Sequence, residues 1–180
     1  MRKPKNIKPS AEAHAAGYLR RARGFLNAAE RGFTSEDNHT PIRNWDPKWH
    51  PTLFNYAHAL ELALKAFLRT CDVEVERGYR HHDYAKLYEA ARQFGLIIEP
   101  DENQIGHIVR VLNSANKNQG LRYFIDKTAT VVDLGWVRDA VTQVLATVEP
   151  TVAEYEREHP SGSGKISGVS IVFGKPTKNS

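Results

Sequence analysis

Residues 56 to 89, YAHALELALKAFLRTCDVEVERGYRHHDYAKLYE, constrain the fold of this chain more than any other stretch. Pro51 suits the first turn of a helix, and Leu53, Tyr56, Ala57, Leu60, Leu64, Phe67 and Leu68 recur at three and four, so a helix is expected over about 51 to 70. A polar loop crowded with Arg and His follows over 71 to 81. Asp83 or His82 can then cap a second helix, about 83 to 94, which carries Tyr84, Leu87, Tyr88, Ala91 and Phe94 and stops at Gly95.

The flanking sequence extends the same architecture. Ser10 is positioned to cap a helix over about 11 to 31, with Ala15, Tyr18, Leu19, Ala22, Phe25 and Leu26 on one face and Gly32 as its stop. Residues 33 to 50 match neither period and read as a long connection pinned by Trp45 and Trp49. Asp101 and Gln104 resemble a capping box ahead of Ile105, Ile108, Val109 and Leu112, with the polar run Asn113 to Gly120 expected to fray. Asp133 caps a last helix from Trp136 to Tyr155, in which Pro150 predicts a kink or break near Thr147. No period-2 pattern of useful length occurs in the body. Five helices and no sheet predict an all-α, antiparallel up-and-down bundle in one domain, residues 10 to 159. A basic tail, 1 to 9, precedes it. The Gly/Ser-rich tail, 160 to 180, reads as disordered in preference to a strand added to another protein's sheet edge.

Charge and composition narrow the function classes. The net charge of +4 comes from the ends: residues 1 to 10 hold four cations and 161 to 180 hold three, without acids, leaving 18 basic against 21 acidic residues between them. The body is therefore not a basic protein, and any general attraction to phosphate would come from the tails or from a local cluster such as Arg20, Arg21 and Arg23, which reads as a solvated face in preference. No apolar run approaches the roughly 20 residues of a membrane span, and no signal-peptide pattern opens the chain, so a cytoplasmic protein is expected. Cys71 is the lone cysteine, which excludes an internal disulfide and a cysteine-based zinc site. Adjacent His81, His82 and Asp83 rarely share one ion, and no Gly-rich phosphate loop or nucleophile elbow is present; neither a metal nor a cofactor is expected.

The segment His58-Ala59-Leu60-Glu61-Leu62-Ala63-Leu64-Lys65-Ala66-Phe67-Leu68, the polar loop, and His82-Asp83 opening a helix with Leu87 together resemble the HEPN family of small helical domains. Leu121-Arg122-Tyr123 is similar to a further recurring feature, and the resemblance spans roughly residues 10 to 158. It implies a bundle that dimerises. It also implies a place in a bacterial stress or defence system, acting on RNA or through a protein partner such as an antitoxin or a small nucleotidyltransferase. Active members share an Arg followed after four to six residues by a His, with a polar residue behind the Arg. Arg77 to His82 has that spacing, with Gly78 in the polar position. The Arg and His content gives about two such spacings by chance, and two occur; the other, Arg43 to His50, crosses Pro47 in the irregular connection.

Metal-independent RNA cleavage needs a group that takes the 2′-hydroxyl proton and a cation that stabilises the phosphorane-like transition state. His82 or His81 would supply the acid or base, and Arg77 or Arg80 the cation. The competing account is structural: His82 caps the helix, Asp83 satisfies its first N–H groups and the arginines are solvated. His58, Glu61, Lys65 and Arg69 lie along one side of their helix at spacings of three, four and four. They form either a solvated ladder or a stripe that faces the His81/His82 loop and orients it. The expectation is a dimeric helical module acting through a partner or RNA, with the ribonuclease as the alternative.

Overall fold

The computed structural model describes residues 14–34, 41–43, 49–75, 82–99, 102–116 and 131–159. Among these, five helices form a bundle: α1 (Ala15–Arg31), α2 (His50–Thr70), α3 (Tyr84–Gln93), α4 (Glu102–Ala115) and α5 (Leu134–Glu158). Helix α2 is central because it is apolar on nearly every side. Leu53, Tyr56, Ala57, Leu60, Ala63, Leu64 and Leu68 are buried, and so are Ala59, Leu62 and Ala66 on the remaining faces. A helix of that kind needs neighbours all round. It has them in α1, α3 and α5.

Cross-links give the helix directions. Glu30, near the end of α1, accepts a hydrogen bond from Tyr56 near the start of α2 and pairs with Arg138 near the start of α5. Arg23 pairs with Glu149, and the backbone N–H of Ala16 donates to Glu156 at the far end of α5. Helices α2 and α5 therefore run side by side, both antiparallel to α1. Helices α3 and α4 pack against each other at the edge of this unit.

Residues 41–43 and 131–133 form the two strands β1 and β2, paired antiparallel with Pro41 opposite Asp133 and Arg43 opposite Val131. At three residues each, these strands are too short to display a period of two. The expected absence of any sheet is corrected to this small ribbon. Its β2 strand runs directly into Asp133, the N-cap of α5, whose side chain accepts from the N–H of Trp136.

Two further expectations change. Helix α5 is a single element through Pro150, so of the kink or break expected near Thr147 the break does not occur. Pro150 and Ala146 are both exposed, so the carbonyl that loses its N–H partner is on the solvent side, while Val148 and Val152 keep the helix seated on the core. Helix α4 does not fray at Asn113; it continues to Ala115. Ser10, Trp45, Asp101, Leu121-Arg122-Tyr123 and both tails lie outside the described residues. Among the described residues, no helix is long and apolar enough to cross a membrane.

The ends of α2 and α3 are set by local chemistry. Asp72, at φ 58, follows α2, with its N–H on Arg69 and that of Val73 on Leu68; Gly95, at φ 94, closes α3 with the same pair of bonds to Arg92 and Ala91. Asp83 caps α3, its Oδ1 accepting from the N–H of Lys86 at 3.1 Å. Asp83→Ala is expected to cost about 1 kcal/mol, read as a lowered urea midpoint with an unchanged slope.

Candidate functional site

Glu61 sits on α2 with only 1% of its surface exposed. A carboxylate taken out of water is costly unless it is ionically compensated and hydrogen-bonded. Glu61 is both. Lys65, one turn on, donates from Nζ to Oε1 at 2.7 Å. His82 Nδ1 lies 2.8 Å from each carboxylate oxygen, and His58 Nδ1 lies 3.4 Å from Oε2. Burial pushes the Glu61 carboxyl up, but the hydrogen bonds from His58, Lys65 and His82 and the Lys65 charge outweigh it and hold the group down at about 2. Glu61 is thus an ionised acceptor at neutral pH. An imidazole that meets it through Nδ1 must carry its proton there, which leaves Nε2 as the nitrogen with a lone pair.

His82 reaches Glu61 from the loop ahead of α3 in a backbone conformation that few residues adopt. Its φ is 51°, in the left-handed region. Such a position costs a non-glycine residue roughly 1–2 kcal/mol, and it persists because both ends of the residue are held. The ring is on Glu61, and the carbonyl accepts from Asn116 Nδ2 at 3.2 Å. Asn113, one turn back on α4, accepts from the N–H of Tyr84 at 2.8 Å. The two asparagines tie the start of α3 to α4. They belong to the polar run that the sequence suggested would fray, and no periodic pattern distinguishes them from solvated residues.

His82→Gly is expected to be more stable than His82→Ala by about 1 kcal/mol, because glycine removes the φ strain while both variants lose the imidazole. Equal urea midpoints for the two variants would show that the loop relaxes once the ring has gone.

His58 completes the cluster. Its ring stacks on Phe54 (centroids 5.6 Å, interplanar angle 11°), meets Phe25 edge-on at 4.3 Å, and lies 6.4 Å from the His82 ring. Its side chain is 19% exposed and that of His82 26%. Both imidazoles are thus partly exposed, while the carboxylate they share is buried.

Of the sequence candidates, the structure brings together His58, Glu61, Lys65 and His82, and it places Asp83 at the cap of α3. The stripe on α2 is not a solvated ladder, since Glu61 is buried and faces the His82 loop. Arg69 is on a different errand, donating to the carbonyl of Val73 at 3.3 Å. His82 does not cap α3; Asp83 does. Arg77, Arg80 and His81 lie outside the described residues. His50, from the second Arg-to-His spacing, is buried in the first turn of α2. Arg20, Arg21 and Arg23 are exposed on α1. Among the described residues, no group of His, Cys, Asp and Glu is arranged to hold a metal ion. Compared with known proteins, the chain matches no family model, no curated protein and no solved structure.

Proposed function

We propose that this chain is a HEPN-like helical module that cleaves RNA without a metal, with His82 as a proton-transfer group. The observation that carries the reading is the bond between His82 Nδ1 and the buried, ionised Glu61, 2.8 Å to each oxygen. A carboxylate behind an imidazole fixes its tautomer and orientation and stabilises the imidazolium formed when the ring accepts a proton. The strained φ of His82 adds to this, because strain held by surrounding bonds is a common feature of working sites. Arg77, five residues before His82 in sequence, is the proposed cation for the phosphate. A homodimer would bring two such sets together.

The test is direct. The purified chain, incubated with RNA in excess chelator, is expected to give fragments ending in a 2′,3′-cyclic phosphate, and light scattering is expected to give twice the chain mass. Intact RNA under these conditions would remove the catalytic reading. It would leave a second one, a non-catalytic module that binds an antitoxin, a nucleotidyltransferase or a second copy. That reading is favoured by Phe94, Ile97 and Trp136, large apolar residues exposed by 51%, 66% and 46%.

A further inference from the structure

The carboxylate of Glu61 serves two imidazoles. Lys65 compensates the buried anion at 2.7 Å, and His82 and His58 both present Nδ1 to its oxygens, at 2.8 and 3.4 Å. His58 keeps 19% of its side chain accessible, whereas Glu61 behind it is sealed. Phe54 and Phe25 hold its ring on two sides. The π face of Phe54 is a surface that attracts a cation. The ring is held rigid, oriented by an anion, and faces a second imidazole 6.4 Å away.

Cleavage of RNA by its own 2′-oxygen needs two proton transfers on opposite sides of phosphorus. One group removes the 2′-hydroxyl proton, and another delivers a proton to the departing 5′-oxygen. With both Nδ1 atoms turned to Glu61 and the ring centroids 6.4 Å apart, the two imidazoles are close enough to serve one phosphodiester. We propose that His58 is the general acid of this site and His82 its general base, an assignment that rests on reading the site as RNA-cleaving. As the bond from the 2′-oxygen to phosphorus forms, His82 Nε2 takes the 2′-hydroxyl proton. The bond from phosphorus to the 5′-oxygen breaks, and that oxygen takes a proton from the His58 imidazolium. The products are a 2′,3′-cyclic phosphate and a 5′-hydroxyl. The rings finish with exchanged protonation, which water restores. Glu61, lying against both Nδ1 atoms, holds each ring through the exchange.

The experiment compares two substrates on the full chain. One is a dinucleotide, whose poor 5′-alkoxide leaving group needs an acid. The other is a uridine 3′-(4-nitrophenyl phosphate), whose aryl oxide leaves without one. His58→Gln is expected to slow the dinucleotide reaction by about 10²- to 10³-fold and to come within roughly tenfold of wild type on the aryl ester. His82→Gln is expected to lose rate on both. Recovery on the aryl ester also shows that the His58 variant is folded, and His58→Asn must give the same contrast. Equal losses on both substrates, or no loss on either, would overturn the assignment while leaving the RNA-cleaving reading in place. A wild type that cleaves neither substrate overturns that reading, and the assignment with it.

Discussion

Glu61→Gln is expected to lower the stability of the fold by about 3 kcal/mol at neutral pH, a fall in Tm on the order of 10 °C. The substitution keeps the shape of the side chain but removes the charge, so Lys65 is left against a neutral amide with 13% of its side chain exposed. The amide nitrogen also presents a donor where His82 and Lys65 both donate. The same group sets the acid limb of stability. Its folded-state pKa is depressed from the ordinary 4.5 to about 2, so its contribution is fully present above pH 4.5 and is lost as pH falls toward 2. Wild type and Glu61→Gln should therefore differ most in urea midpoint at pH 7 and converge between pH 4 and 2. A constant gap across that range would mean that the carboxylate is not held ionised by its partners.

The sequence made part of this arrangement legible. The periodicity of Leu53, Tyr56, Leu60, Leu64 and Leu68 located α2, and the short acidic caps Asp83 and Asp133 located the starts of α3 and α5. Glu61 was harder to read because a charged residue in a helix is usually solvated. A signal was nonetheless present. Between Ala59 and Leu68, Glu61 and Lys65 are the charged residues, and apolar residues flank each of them at one and two positions on either side. That pattern belongs to a helix covered all round, and a covered Glu and Lys one turn apart must be paired. What brings His82 to the same carboxylate was not legible. It depends on a left-handed backbone at one histidine and on side-chain amides from α4, and neither leaves a periodic trace. Pro150 leaves the helix unbroken for a related reason. The local rule counts the missing N–H, whereas the outcome depended on Ala146 and Pro150 sharing the solvent side of a helix whose other face carries Val144, Val148 and Val152.

His82→Gln should separate the structural role of the loop from chemistry, with the largest kinetic effect of any single change. A glutamine amide can still donate to Glu61 and leaves the backbone bond from Asn116 in place, so the attachment of the loop is largely retained. The left-handed φ costs either residue about the same. Tm is therefore expected to fall by only a few degrees, since the loss is of order 1 kcal/mol. Glutamine does not titrate, so it cannot take a proton. The single-turnover rate of RNA cleavage is expected to drop by about 10³-fold, with binding of the RNA little changed. Glu61→Gln should show the reverse balance, a large loss of stability with a smaller loss of rate, because there the imidazole remains and only its orientation is released. A His82→Gln variant that cleaves at the wild-type rate would mean that the Glu61–His82 bond serves the loop alone. The exposed side chains of Phe94, Ile97 and Trp136 would then be the places to seek a function, through a protein partner and not through a proton.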